Sequence, residues 1–172
     1  EEKKIKKIIN GQRTADFEEL HLLTPGMTWS PDGRQLALAT KSGEQDAIII
    51  IDIDSGDEEK FEFNLDGIFS IDWSGSAQSG QFKGSLAFVG VKNGRSDIYV
   101  YNLDTKELSN LTNDIFSDSD PTWSHDGKSI YFSSDRRDNL LPDRIPPNFK
   151  MQRYDFRQID IYCIDIGSKI IT

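Results

Sequence analysis

The 172-residue chain carries 29 Asp and Glu against 20 Lys and Arg, a net charge of −9, with 36% hydrophobic and 28% charged residues. That balance suits one globular domain with a full core, and the excess of acid excludes a general nucleic-acid binder, which needs concentrated Lys and Arg to neutralise phosphates. The longest aliphatic run, residues 47–51, stops at Asp52, far short of the ~20 residues with which a helix crosses a bilayer.

No apolar signal-peptide core opens the chain, so the expectation is a cytosolic, processed or excised segment. Residues 1–22 form a first unit. Ile5, Ile8 and Ile9 fall at helical spacing among Lys3, Lys4, Lys6 and Lys7, which predicts a short amphipathic helix, then a second turn through Phe17 and Leu20. An apolar face of three residues suits a linker packed on the next domain better than a membrane surface.

From residue 23 onward the pattern changes to short strands. Trp29-Ser30-Pro31-Asp32-Gly33 turns into Leu36-Ala37-Leu38, and the Trp-Ser pair returns at Trp73 and Trp123, at spacings of 44 and 50 residues. A second marker follows each copy: Asp46, Asp97 and Asp160 open bulky runs that end in the polar turns 54–56, 104–106 and 167–169. Residues 52–57 superficially resemble a calcium loop, but Gly56 and Asp57 stand in each other's places for one, so they read as a hairpin turn. Units of four short antiparallel strands at such a period predict an all-β chain of propeller blades, at about 23–63, 64–112 and 113–172. Cys163, mid-strand between Tyr162 and Ile164, reads as an inert buried thiol.

Two copies are expanded. Trp73 to Leu86 is 13 positions where the other copies have seven, a Ser- and Gly-rich hairpin extension over 75–84. In the third copy Trp to Asp is 37 positions against 17 in the first, which leaves about twenty extra residues, far beyond an ordinary connection. This insertion, residues 136–158, sets Arg136, Arg137, Arg144, Lys150, Arg153 and Arg157 against Asp138, Asp143 and Asp155, and adds Leu140, Leu141, Ile145, Phe149, Met151, Tyr154 and Phe156. It is either a loop folded over its own blade or a partner-binding lid, with Arg137, Arg144, Phe149, Met151, Arg153 and Tyr154 as candidate anchors. In an up-and-down blade this connection shares an end with the blade-to-blade connections, near Asp114 and Asp118. Both of these read as turn formers.

No nucleophile elbow, zinc helix or dinucleotide loop occurs. Of the two histidines, His125 fills the turn slot of Pro31 and His21 borders the first unit. No catalytic residue, metal or cofactor is expected.

Asn110-Leu111-Thr112, then Asp120-Pro121 with Trp123-Ser124 and Asp126-Gly127, then Ser134-Asp135-Arg136, resemble the WD40-like propeller repeat of TolB, a repeat also found in tricorn-type and prolyl-oligopeptidase-type peptidases. The resemblance covers residues 24–172, although the second copy lacks the Asp-Gly turn after Trp73. It implies a non-catalytic protein- or peptide-binding module of the bacterial cell envelope, in the periplasm, without nucleic-acid or membrane contact. The alternative is the gating propeller of a peptidase whose catalytic residues lie elsewhere. Three blades do not close a ring, and Thr172 aligns with Thr112 at a blade end. Either a longer propeller or a half-ring pairing with a second copy into six blades is therefore expected.

Overall fold

A computed structural model describes residues 19–20, 26–42, 45–75, 84–140, 149–150, 152, 154 and 157–172. The described elements are strands, in three antiparallel sheets. In the first, β1 (Glu19–Leu20) and β2 (Met27–Trp29) pair with successive stretches of β3 (Gln35–Ser42), followed by β4 (Gln45–Asp52) and β5 (Glu58–Glu62). The second runs β6 (Gly67–Trp73), β7 (Ser85–Lys92), β8 (Arg95–Asn102) and β9 (Leu108–Asn110). The third has β10 (Asp118–Trp123), β11 (Ser129–Ser134) and β12 (Asp160–Asp165), with Ile171 bridged to Ile164 as the start of a fourth strand.

Each sheet is one blade. The expected N-terminal helix and the tip of the second-blade hairpin lie outside the described residues. Glu19 and Leu20 pair with Lys41 and Thr40, so the first sheet begins inside the segment read as a linker.

The Trp-Ser turn closes locally. Ser30 Oγ donates to Asp32 Oδ1 at 2.7 Å, the Arg34 N–H reaches the same oxygen at 3.1 Å, and the Gln35 N–H donates to Ser30 Oγ at 2.9 Å. Ser124, Asp126, Lys128 and Ser129 repeat this network, and Gly33 and Gly127 take the positive φ that follows each Asp. The Ser30 and Ser124 hydroxyls hold the Asp32 and Asp126 carboxyls below the usual carboxylate range. Blade 2 keeps the serine alone: Ser74 Oγ accepts the Ser85 N–H. Asp52 caps its own turn through the Asp54 and Ser55 N–H groups, as a hairpin turn should.

Two registers differ from the sequence alignment. Leu36 faces Ile51 and Leu86 faces Tyr101, which puts Ala47 in the place of Asp97; Asp46 stands one residue earlier. Thr172 bonds Cys163 through both main-chain groups, so it matches Ser109, which faces Val100, and not Thr112.

Blades pack face to face, large against small. Trp73, Leu86, Phe88, Tyr99 and Tyr101 of blade 2 lie on Ala37, Ala39, Ile48 and Ile50 of blade 1. Trp123, Ile130, Phe132, Tyr162 and Ile164 of blade 3 lie on Ala87, Val89, Ile98 and Val100. At about 25 cal/mol per Å² of apolar area these interfaces supply most of the stability. Polar clamps set the spacing. Thr28 Oγ1 accepts the Trp73 N–H at 3.3 Å and Asp72 Oδ2 accepts the Trp123 N–H at 2.8 Å. On the far side of blade 3, Tyr131 is 48% and Ile161 79% exposed, and Cys163 is half-buried rather than enclosed.

Gly90 shows how closely blade 2 is packed. A Cβ there would lie 2.5 Å from the Tyr99 ring and 2.9 Å from Leu65 Cδ1. Gly90→Ala is therefore expected to destabilise the chain by about 1–3 kcal/mol, the usual cost of overpacking. An unchanged thermal midpoint would show that this contact is not tight.

Candidate partner-binding site at the insertion end of blade 3

The last turn of β11 sends Ser134, Asp135 and Arg136 into the junction between blades 2 and 3. Arg136 is wholly buried. Its Nη1 donates to Asp114 Oδ2 at 2.9 Å, its Nη2 to Asp118 Oδ1 at 2.6 Å and its Nε to Ser134 Oγ at 3.0 Å. The guanidinium also lies 5.1 Å from the Phe132 ring centre and 5.7 Å from those of Phe116 and Tyr162. Charge-assisted bonds in a fork of this kind are the strong ones, and the rings add cation–π attraction.

Asp97, at the start of β8, closes the cluster from blade 2. Its Oδ1 accepts the Asp114 N–H at 3.1 Å and the Thr112 hydroxyl at 3.4 Å, and its Oδ2 accepts the Asn110 amide at 3.0 Å. The ligand atoms of Asp97, Asp114 and Asp118 lie within 4.8 Å of one another, the spacing of an oxygen-ligand metal site. The positive charge at this place is the guanidinium of Arg136, bound to two of the three. Burial outweighs that charge for both partners: the Asp118 carboxyl is pushed up to about 6, and Asp114 is shifted upward as well.

The insertion is fastened to this base. Tyr154 Oη donates to the Asp135 carbonyl at 2.8 Å, Asn139 Nδ2 to the Arg136 carbonyl at 2.7 Å, and Tyr162 Oη to the Arg137 carbonyl at 2.7 Å. Phe149 meets Phe116 edge-on at 6.0 Å, Tyr154 lies 5.7 Å from Phe116, and Phe149 lies 5.0 Å from Tyr154. The Arg137 guanidinium sits 5.4 Å from the Tyr154 ring centre. Of the six candidate anchors, Arg137, Phe149 and Tyr154 thus converge on the connection of residues 113–117; Arg144, Met151 and Arg153 lie outside the described residues. Beside them opens a cleft of about 470 Å³ lined by Arg137, Asp138, Leu140, Gln158, Asp160 and Tyr162.

The shared end of the insertion and the blade connection follows the topology expected from the sequence. Two roles do not. Arg136, counted with the basic loop, is the buried keystone, and Asp114 and Asp118, read as turn formers, are its ligands. The legible signal was Arg136 at a strand end two residues past Ser134, whose partner across the strand pair is Asp118.

The raised Asp118 value gives a signed prediction. The folded state binds the Asp118 proton more tightly than the unfolded chain, whose carboxyl titrates near 3.8. Its contribution to stability is therefore greatest below pH 4, falls as pH rises to about 6, and is flat above. The fall amounts to about 3 kcal/mol for a shift of this size. In denaturant unfolding at several pH values, the stability difference between the parent and Asp118→Asn is expected to fall by this amount between about pH 4 and pH 6; a difference that does not change with pH would refute it.

Residues 12–139 match the family model of the TolB beta propeller domain. The structure is similar to that of TolB from Acinetobacter baumannii (TM-score 0.60, 23% identity, over 86% of this chain and 31% of that one). It is also similar to putative TolB from Agrobacterium tumefaciens (0.61, 18%, over 86% and 48%) and to the tricorn protease (0.56, 20%, over 81% and 13%). The chain thus spans less than half the length of the TolB structures it matches. A search of curated proteins gives no match. With the Trp-Ser blades in register and the model matched over most of its length, the chain belongs to the TolB β-propeller domain family.

Proposed function

We propose that the chain is a non-catalytic protein- or peptide-binding module of the bacterial envelope, which recognises its partner at the insertion end of blade 3. One observation carries this. The two ends of a long insertion are locked onto a rigid base by Tyr154, Asn139 and Tyr162, and between them lies a cleft that mixes Arg137, Asp138 and Asp160 with Leu140 and Tyr162. Pre-organised loops on a regular scaffold are the usual seat of recognition, and Arg with aromatic groups is the usual chemistry of binding anchors. The envelope location rests on the family and on the likeness to TolB structures.

The likeness to the tricorn protease favours a second reading, a gating propeller of a peptidase whose catalytic residues lie outside these residues. A longer parent chain bearing a peptidase nucleophile or metal motif would support that reading.

The binding role is tested by a photo-crosslinking residue at Leu140, and separately at Asp126 on the opposite end, both exposed. After exposure to envelope extract, a discrete protein adduct is expected from residue 140 and none from 126. Adducts from 126 alone, or from neither, would reject the proposed face.

A further inference from the structure

A second groove lies between blades 2 and 3, at the end where the Trp-Ser turns are. It encloses about 330 Å³ between β9 and the turn that follows β12, and its lining sets buried Val100, Leu111 and Ile166 beside Ser109, Glu107 and Lys169. Both of its walls are closed hairpin turns. The Lys106 N–H donates to the Asn102 carbonyl at 2.9 Å in one, and the Lys169 N–H to the Asp165 carbonyl at 2.8 Å in the other.

The same place between blades 1 and 2 is filled. Ile51 faces Glu58 as Tyr101 faces Leu108, so Ser109 and Leu111 stand where Glu59 and Phe61 stand. Ile130 faces Ile164 as Leu86 faces Tyr101, so Lys169 stands where Lys106 does, and both lysines take a left-handed φ, 57° and 60°. Lys106 Nζ bonds Glu59 Oε1 at 3.2 Å and lies 4.7 Å from the Phe61 ring centre. A carboxylate and a ring thus close the first junction around a lysine. The second junction keeps the lysine and replaces both of its partners, with a serine and a leucine. Among the described residues the Lys169 ammonium meets no carboxylate, other acceptor or ring.

We propose that this groove binds a small aromatic carboxylate, which supplies the two groups that Glu59 and Phe61 supply at the first junction. The ligand's carboxylate accepts from Lys169 and from the Ser109 hydroxyl, and its ring lies against Val100, Leu111 and Ile166. The volume is that of a small-molecule site, a class that begins near ~300 Å³, and an ammonium over an aromatic face adds cation–π attraction. Asp165 is bonded to Ser168 within its own turn, so Lys169 is the charge that the groove offers. Glu107 stands where Asp57 stands at the first junction, where the lysine and Glu59 pair regardless. The site is separate from the cleft beside the insertion.

The probe is hydrocinnamate, titrated into the whole chain and followed through the main-chain amide resonances of Ser109, Leu111 and Lys169. Saturable shifts are expected at these residues. Affinity should be about fivefold weaker for the neutral amide of the probe, and about fivefold weaker for the acid in Lys169→Gln, as the loss of one exposed ion pair predicts. Lys169→Gln should therefore bind acid and amide alike, Lys169→Arg should still prefer the acid, and thermal melts of both should match the parent. Ser109→Glu restores the carboxylate of the first junction and should abolish binding. A preference for the acid that survives in Lys169→Gln, shifts confined to other residues, or no saturation at millimolar probe would each overturn the inference.

Discussion

A buried guanidinium is costly unless its charge and its donors are all met, and blade 3 is built around meeting them for Arg136. Two carboxylates, a serine hydroxyl and three aromatic rings surround it. Those groups come from the connection before β10, from β10, from β11 and from β12, so the ion pair forms only when all four are in place. Asp97 extends the same network into blade 2 through the Asp114 N–H. Neither other blade has an equivalent: Ser42 and Lys92 occupy the corresponding strand ends, and Lys92 meets Asp66 and Asn64 at the surface. The strongest polar anchor in the described structure lies directly under the longest insertion.

That coincidence has a physical reason. A long loop costs only slowly growing closure entropy, but its ends must leave the blade along fixed directions if the loop is to hold one shape. Tyr154, Asn139 and Tyr162 all bond main-chain carbonyls of residues 135–137, so the segment they grip is the one that Arg136 immobilises from beneath. Phe149 and Tyr154 then cover Phe116, which covers the guanidinium in turn. Packing of this kind places part of the insertion over its own blade, and it orients the cleft at the insertion's base.

What the sequence disclosed was mostly local. The Trp-Ser-x-Asp-Gly turn closes within six residues through its own side chains, so its fold is written where it occurs, and two such turns with the bare Trp73-Ser74 pair between them announce three blades. Long-range roles were harder to read. Asp46 looked like the counterpart of Asp97 although it stands one residue earlier; even so, each carboxylate accepts a main-chain N–H of the next blade's approach, Ile68 at the start of β6 for one and Asp114 before β10 for the other. Arg136 and Arg137 are adjacent arginines of one basic run, and what separates the buried one is its place two residues past Ser134, whose pairing with Asp118 brings the carboxylate to the guanidinium.

The two ends of the blades differ in how their polar groups are satisfied, and this bears on where recognition belongs. At the end formed by the Trp-Ser turns, Asp32, Asp52, Asp126 and Asp165 accept bonds from residues two or three positions away. Such turns are closed units with little to offer a partner. At the insertion end the acids reach across the chain, from blade to connection, and each segment that arrives there completes the hydrogen bonding of the strand before it. The insertion end is thus organised by long-range contacts between blades and connections, whereas the turns at the other end are complete within a few residues.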